Sequence, residues 1–176
     1  MDSDFLQKTT HEDLDEILML IQNRIDWMDE NNIRQWNTTN YFECYPRSYF
    51  ADLAAKGQLY VVKEGNLNRV IGAVALLEQD KRWNDNVPSY YIHNLVSDTD
   101  FSGLGARIIE FCEQMALKDE KLKMRLDCQA SNEKLQAYYC DLGFECVGKV
   151  QEGHYAGVKL EKTLATGTLP PSHQKP

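Results

Sequence analysis

The sequence has little of what marks membrane, secreted and nucleic-acid-binding proteins. No window of its 176 residues approaches 18 consecutive apolar residues, so we expect no membrane-spanning helix. The N-terminal stretch MDSDFLQKTT is acidic and lacks the basic start and apolar core of a signal peptide. The whole chain has 19 Lys and Arg against 27 Asp and Glu, and its basic residues form no basic face. We therefore expect a cytoplasmic protein that binds neither a membrane nor nucleic acid.

Cysteine pairs and metal-ligand spacings are also missing. The five cysteines are odd in number and include no C-x-x-C pair, and the four histidines have no metal-ligand spacing. Cys112 and Cys128 lie in apolar runs, which indicates buried free thiols. We expect a reduced protein with neither a disulfide nor a bound metal.

The overall composition is that of a globular protein. Apolar residues make up 43% of the chain and charged residues 26%, and the length suits one domain with its own core. We predict a single domain over residues 1–164. The last residues, 165–176, read ATGTLPPSHQKP without an apolar period, which predicts a disordered tail.

Hydrophobic periodicity predicts the element order β-α-α-β-β-β-α-β-α-β-β. The predicted strands cover residues 5–10, 58–65, 69–79, 89–96, 122–128, 144–150 and 155–164. The predicted helices cover residues 11–30, 46–56, 106–118 and 131–142. Hairpins imply antiparallel pairs, whereas the strand-helix-strand unit around Gly105 requires one parallel pair. The fold class is therefore α/β, with a mixed, mostly antiparallel central sheet and helices on both faces.

Two glycines, Gly103 and Gly105, precede the helix that follows the strand SYYIHNLV. The start of a helix leaves backbone N–H groups unpaired and carries a partial positive charge. Glycines at that point let an anion approach those groups closely. The segment SGLGA is therefore a candidate phosphate cradle, although a simple strand-to-helix turn would use the same residues.

Two well-known phosphate motifs fit this segment poorly. A P-loop needs Lys and then Ser or Thr after its second glycine, and Ala and Arg follow here. A dinucleotide-binding fold needs a third glycine where Ile108 stands. Asp127 does end the next predicted strand at about the distance of a ribose-binding acid, so this alternative ranks below the next one without being removed.

A second motif lies in NEKLQAYYCDLGF, residues 132–144. Together the two segments resemble the GCN5-related N-acetyltransferase (GNAT) superfamily, whose loop reads Q/R-x-x-G-x-G/A and whose later helix reads N-x-x-A-x-x-x-Y-x-x-x-G-F. The matching residues are Ser102, Gly103, Leu104, Gly105, Ala106 and Arg107 in the loop, and Asn132, Leu135, Tyr139, Gly143 and Phe144 in the helix. The resemblance is sharpest over residues 90–148, and its element order extends over residues 5–164.

The match departs from the family pattern at three positions. Ser102 stands where Gln or Arg is usual, Arg107 where a small residue is usual, and Leu135 where Ala is usual. A different register would put Asp100 at the Gln/Arg position, but a carboxylate there would repel a pyrophosphate. None of these departures removes a backbone N–H donor.

The resemblance implies that acetyl-coenzyme A binds in a V-shaped gap between two splayed strands. Backbone groups of residues 95–97 would contact its pantetheine arm and polarise the thioester carbonyl, and N–H groups of residues 103–107 would bind its pyrophosphate. The implied cofactor-binding residues are Leu95, Val96, Ser97, Ser102, Gly103, Leu104, Gly105, Ala106, Arg107, Asn132, Leu135 and Tyr139. The resemblance also puts substrate contacts in the loop between the first two helices, at Trp36, Tyr41 and Tyr45.

Tyr139 fits the role of general acid. Amide formation requires that the leaving thiolate be protonated, and a tyrosine with a pKa near ~10 carries a proton at neutral pH. Asn132, Leu135 and Tyr139 share one helix face, whereas Tyr138 points about 100° away and is expected in the core. Ser131 is better placed than Asn132 to cap the helix.

The general base is not fixed by the sequence. His93 and Glu78 are candidates because they lie in, or at the end of, predicted central strands. The predicted function is an N-acetyltransferase that moves an acetyl group from acetyl-coenzyme A to a primary amine of a small molecule or peptide. The alternative is a non-catalytic acyl-coenzyme A binding or sensor domain of the same fold, and a homodimer is left open.

Overall fold

The computed structural model describes residues 5–165, which form one seven-stranded sheet flanked by helices. The strands are β1 Gln7–Lys8, β2 Leu59–Glu64, β3 Arg69–Leu77, β4 Ser89–Ser97, β5 Lys123–Gln129, β6 Glu145–Glu152 and β7 Tyr155–Thr163. The helices are α1 Leu14–Glu30, α2 Tyr41–Cys44, α3 Arg47–Ala55, α4 Leu104–Lys118 and α5 Glu133–Asp141. Single 3-10 turns lie at His11–Asp13, Trp36–Thr38 and Gly65–Leu67.

The sheet has the predicted mixed topology. Its strands lie in the order β1-β2-β3-β4-β5-β7-β6. The β4–β5 pair is parallel, with α4 as its crossover, and the other pairs are antiparallel. The first strand is shorter than predicted, and the one-turn helix α2 was not predicted. The predicted tail, apart from Ala165, lies outside the described residues.

Two apolar clusters cover the two faces of the sheet. Alternate residues of β3 divide between them, as the period of a strand requires: Val74 packs with α4, whereas Ala73 packs with α1. The α4 cluster includes the fully buried Ile108, and the α1 cluster the fully buried Ile17 and Phe50. The α4–α5 face and the α1–α3 face are named by these helices below.

The segment before the first helix is held by a carboxylate. The Asp13 carboxylate accepts hydrogen bonds from the Thr10 backbone N–H at 2.8 Å and from the Thr10 hydroxyl at 2.9 Å. Its other oxygen lies 2.6 Å from Lys63 Nζ on β2. The cap therefore also ties the helix to the sheet.

The two parallel strands separate beyond their first three residues. The pairing of β4 with β5 ends at Tyr91 and Arg125. From there β4 continues beside β3 as far as Ser97, and β5 continues beside β7 as far as Gln129. The edge of β4 that faces β5 over residues 92–97 thus has no strand partner among the described residues. This is the V-shaped gap that the resemblance implied.

The two cysteines predicted to be buried thiols are buried in the structure. Cys112 and Cys128 are free and buried, and burial raises the pKa of each thiol to about 12. None of the helices within residues 5–165 has both the length and the hydropathy needed to cross a bilayer.

Candidate active site

A bulge in β4 lies at the mouth of the gap. The pairing of β3 with β4 shifts register between Ala73 and Ala75, and the extra residue falls at Asn94 and Leu95. Asn94 has a left-handed backbone, with φ of 50°. A bulge re-aims the backbone of its strand, here toward the gap beside β5. The sequence predicted a regular strand over these residues.

The glycine segment lies at the same end of the strands. Gly103 caps α4 with φ of 78°, a conformation that favours glycine. The N–H of Leu104 donates to the Phe101 carbonyl at 3.2 Å, and that of Arg107 donates to the Gly103 carbonyl at 3.1 Å. The N–H groups of Leu104 and Arg107 are therefore not free to bind a pyrophosphate, although both were predicted to do so.

The remaining donors of the segment lie near the side chains of Tyr138 and Ser97. The N–H groups of Gly103, Gly105 and Ala106 donate to no acceptor among residues 5–165. A Cβ added at Gly105 would lie 3.1 Å from the Tyr138 hydroxyl oxygen and 3.8 Å from Ser97 Oγ. That Cβ would therefore enter the space between the start of α4, Ser97 and Tyr138.

The side chains around the cradle divide into core and surface. Leu104 is buried in the α4–α5 cluster, whereas Ser102 is exposed. The Arg107 guanidinium lies 4.2 Å from the centre of the Phe5 ring. Arg24 of α1 donates to the Ser97 carbonyl, so that carbonyl is already occupied. Arg24 was not predicted, and no local sequence pattern identifies it.

The helix α5 carries both tyrosines beside the gap. Its N-cap is Asn132, whose side-chain oxygen accepts a hydrogen bond from the Leu135 N–H at 3.1 Å. The predicted cap, Ser131, is therefore wrong by one residue. The Asn132 amide also donates to Gln35 Oε1 at 3.2 Å, which joins α5 to the segment after α1.

Tyr139 and Tyr138 differ in burial. Tyr139 is only 8% exposed and packs against Phe144, with 5.9 Å between ring centres. Its hydroxyl makes no hydrogen bond to a described residue, and burial, followed by the nearby Cys128, raises its pKa. Tyr138 packs against the α4–α5 cluster, as expected, but it is only half-buried and its hydroxyl faces Gly105.

His93 faces a carboxylate on the α1–α3 side of the gap. Its Nε2 lies 2.7 Å from Asp80 Oδ2, and both side chains are largely buried. Asp80 also accepts a hydrogen bond from the Arg82 backbone N–H at 2.8 Å. Burial raises the pKa of Asp80, but its hydrogen bonds to His93 and Arg82 outweigh that effect, so the net shift is downward. Asp80 therefore stays ionised at neutral pH.

A chain of ion pairs continues from this point along the sheet. Arg82 Nη1 lies 2.9 Å from Asp127 Oδ1, and its Nη2 lies 2.7 Å from Glu152 Oε2. The Tyr155 hydroxyl donates to the other oxygen of Asp127. Asp127 is thus neutralised by Arg82 inside β5, which removes it from the ribose-binding role considered above.

Asp80, His93 and Asp127 also form a group that sequence spacing did not predict. One potential ligand atom from each lies within 4.8 Å of the others. Each carboxylate of this group already has a partner, because Asp80 pairs with His93 and Asp127 pairs with Arg82.

The three predicted substrate residues come together. The ring centres of Trp36 and Tyr41 are 4.7 Å apart, and those of Tyr41 and Tyr45 are 4.9 Å apart. The row continues to Tyr49, 5.0 Å from Tyr45. Tyr49 was missed, because Pro46 separates it from Tyr45 and the two lie on different elements.

The tyrosine row is tied to the β4 bulge. The Tyr49 hydroxyl donates to Asn94 Oδ1 at 2.9 Å, and Asn94 Nδ2 donates to the Tyr41 hydroxyl at 2.6 Å. Burial raises the pKa of both tyrosines. Asn94 is therefore held by two protonated phenols at the point where the strand bends.

Glu78 lies away from the gap. It follows β3, whose last residue, Leu77, pairs with Tyr91 near the start of β4. Its side chain is 61% exposed and lies 3.4 Å from Lys121 Nζ. Of the two predicted bases, the structure brings only His93 to the site.

Solved structures of the same fold cover nearly the whole chain. A GNAT-family acetyltransferase from Listeria monocytogenes aligns with a TM-score of 0.73 at 20% identity, over 90% of this chain and 94% of that one. The PaiA N-acetyltransferase from Thermoplasma acidophilum, in complex with coenzyme A, aligns with a TM-score of 0.71 at 15% identity, over 90% and 97%. The fold is therefore that of the acyl-coenzyme A N-acyltransferases.

Sequence similarity gives the family. Residues 24–144 match the Acetyltransferase (GNAT) family. The chain is also 25% identical over 154 residues to the uncharacterized N-acetyltransferase YesJ of Bacillus subtilis, which covers 82% of this chain and 83% of that protein. The chain belongs to the GNAT family of acetyltransferases.

Proposed function

We propose that this acetyltransferase moves an acetyl group from acetyl-coenzyme A to a primary amine by direct attack, with Tyr139 as the general acid. The observation that carries the proposal is that the β4–β5 gap and the free N–H groups at the start of α4 open at the same end of the sheet. The tyrosines of α5 and the His93 cluster border that gap from opposite faces.

The chain's own groups fit the cofactor. Gly103, Gly105 and Ala106 offer their N–H groups to a pyrophosphate, and the Tyr138 hydroxyl beside Gly105 offers one more donor. The bulged edge of β4 at residues 94–97 faces a pantetheine chain lying in the gap. Acetyl-coenzyme A would supply the thioester whose acetyl carbon the amine attacks.

His93 is the proposed general base, and Asp80 orients it. Because ionised Asp80 accepts from Nε2–H, the lone pair of neutral His93 lies on Nδ1. The second nitrogen proton passes to solvent once the C–N bond has formed, but the first must leave before attack, and Nδ1 can take that first proton from the ammonium, directly or through water. This proton must be removed because an amine with a pKa near ~10.4 is almost wholly charged at neutral pH.

Tyr139 completes the proton balance. As the C–S bond breaks, its hydroxyl gives a proton to the sulfur, which leaves as a thiol. The raised pKa keeps Tyr139 protonated beforehand, and its hydroxyl has no competing partner among the described residues. The phenolate then recovers a proton from solvent or, through it, from His93.

A thermal-shift and thiol-release experiment tests the proposal. At 100 times its dissociation constant, acetyl-coenzyme A should contribute about 2.7 kcal/mol of stability, or roughly 5–10 °C in melting temperature for a chain of this size. A panel of primary amines should then release free thiol. A shift without amine-dependent thiol would indicate the non-catalytic sensor, and a shift with NAD alone would overturn the cofactor assignment.

We also propose the extent of the domain, the class of acceptor and the cellular location. The residues 1–164 form one catalytic unit, the acceptor is a small molecule or peptide amine, and the protein acts in the cytoplasm. The buried free thiols of Cys112 and Cys128 support a reducing compartment.

A further inference from the structure

The segment between β3 and β4, residues 78–88, crosses the α1–α3 face of the sheet, and we call it the strap. Arg82 is its central anchor, because it pairs with Asp127 of β5 and with Glu152 of β6. Lys159 of β7 also donates to the Arg82 carbonyl at 2.8 Å. The strap is thus held to three strands on the far side of the gap.

A second anchor holds the strap further along. Asp85 accepts two hydrogen bonds from the buried Arg125 of β5, at 2.7 and 2.8 Å. The ring of Trp83 lies between two cations, 4.5 Å from the Arg125 guanidinium and 4.6 Å from Lys159 Nζ. Because these contacts reach both β5 and β7, the strap is held against the sheet, and it forms one wall beside the gap.

The aromatic row meets this wall. Tyr45 lies beside both Arg82 and Asp127, and burial, followed by the charge of Asp127, raises its pKa while Arg82 opposes that rise. Tyr45 stands between Tyr41 and Tyr49 in the row that borders the β4 bulge. The strap and the row therefore meet above the part of the gap that the acceptor must reach.

The open end of the gap is crossed as well. Gln35, just before the 3-10 turn at Trp36, accepts a hydrogen bond from Asn132 at 3.2 Å. This contact joins the segment after α1 to the start of α5, just beyond the end of β5. The acceptor side is thus bounded by the strap, the aromatic row and this bridge.

We propose that the strap and the aromatic row restrict the acceptor to a small primary amine and exclude a polypeptide N-terminus. The inference rests on the proposed function and concerns only its acceptor. A short alkylamine can reach His93 end-on between the two walls. A polypeptide would have to pass its second and third residues through the place where Tyr45 and Arg82 meet.

The charges around this place nearly cancel, so the acceptor is selected by shape rather than by net charge. Asp80, Asp127 and Glu152 contribute three negative charges. Arg82 pairs with two of them, Lys81 lies 3.3 Å from Glu152, and Lys159 Nζ donates to the Arg82 carbonyl, so these cations contribute three positive charges.

Bisubstrate analogues separate this inference from the proposed function. In both compounds the coenzyme A sulfur is joined through a CH2–C(=O) group to nitrogen, either of butylamine or of the N-terminus of tri-alanine. Calorimetry should show that the tri-alanine conjugate binds wild-type protein at least about tenfold more weakly than the butylamine conjugate. Equal affinities would overturn the inference and leave the cofactor site intact, whereas failure of both conjugates and of coenzyme A would remove the proposed function and the inference with it.

A variant at the meeting point sharpens the test. Tyr45→Ala should reduce the difference between the two conjugates to less than about threefold, because it opens the passage beside Arg82. Tyr60→Ala is the matched control, since Tyr60 is half-buried in β2 on the α4–α5 face. An unchanged difference in Tyr45→Ala, or an equal change in Tyr60→Ala, would contradict the role of the aromatic row.

Discussion

Replacement of Gly105 by valine should separate cofactor binding from folding. The new Cβ would lie 3.1 Å from the Tyr138 hydroxyl oxygen, and the two methyl groups would extend into the space before the free N–H groups of Gly105 and Ala106. The contact atom is the far end of a half-buried side chain, so it can move by a few tenths of an ångström. We therefore expect the free energy of unfolding to change by no more than about 1 kcal/mol.

The effect of this variant on affinity should be much larger. A hydrogen bond to a charged group is worth about 1.5–3 kcal/mol, so one lost contact with the pyrophosphate weakens binding about tenfold to 100-fold. Calorimetry with acetyl-coenzyme A measures the affinity, and thermal unfolding without ligand measures the stability. Gly103→Ala is the converse control, because its φ of 78° strains alanine while nothing lies within 4 Å of the added Cβ. Unchanged affinity together with early melting in Gly105→Val would refute the cradle.

Three further predictions address the proton transfers and the strap. Tyr139→Phe should lower turnover by about 10²–10⁴-fold and leave cofactor affinity nearly intact, whereas Tyr138→Phe should mainly weaken cofactor affinity. The reverse pattern would make Tyr138 the general acid. His93→Gln should slow acetylation of ethylamine far more than that of 2,2,2-trifluoroethylamine, which is largely neutral at pH 7, and equal losses would indicate a structural role. The hydrogen bonds from Arg125 hold the pKa of Asp85 below its ordinary value of 3.8. They therefore stabilise the folded protein above pH 3.8, and this stabilisation is lost as the pH falls through the lowered pKa. The melting temperature should therefore fall more steeply below pH 5 in the wild type than in Asp85→Asn, and parallel curves would contradict this linkage.

The sequence predicted those parts of the fold that depend on local pattern. Alternating and helical periods located the strands and the four longer helices, since each buries one face or both. The tandem of SGLGA and NEKLQAYYCDLGF located the gap and the helices beside it. These features lie within short stretches, so a single sequence carries them.

The parts that were missed depend on contacts between distant segments. The pairing of Asp80 with His93 requires the strap to fold back over the sheet, and no periodicity reports that path. The bulge at Asn94 is stabilised by Tyr41 and Tyr49 from another layer. Neither could be read from the strand SYYIHNLV alone.

The helix α5 illustrates a smaller error. Asn132 rather than Ser131 accepts the capping hydrogen bond, so the start of the helix was placed one residue early. Tyr138 packs against the core as expected, but Tyr139 is the more deeply buried of the two, because a helical period gives relative angles and not which face meets the core most closely. Packing of Tyr139 against Phe144 determines that face.

The central claim is that the gap and cradle hold acetyl-coenzyme A for transfer to an amine. The most direct measurement follows the carbonyl carbon of ¹³C-labelled acetyl-coenzyme A by nuclear magnetic resonance, with butylamine as acceptor. We expect the label to appear in N-butylacetamide as thiol is released, and Gly105→Val to slow this transfer at subsaturating cofactor. Label that remains in a tightly bound thioester, or that appears only in acetate, would contradict it.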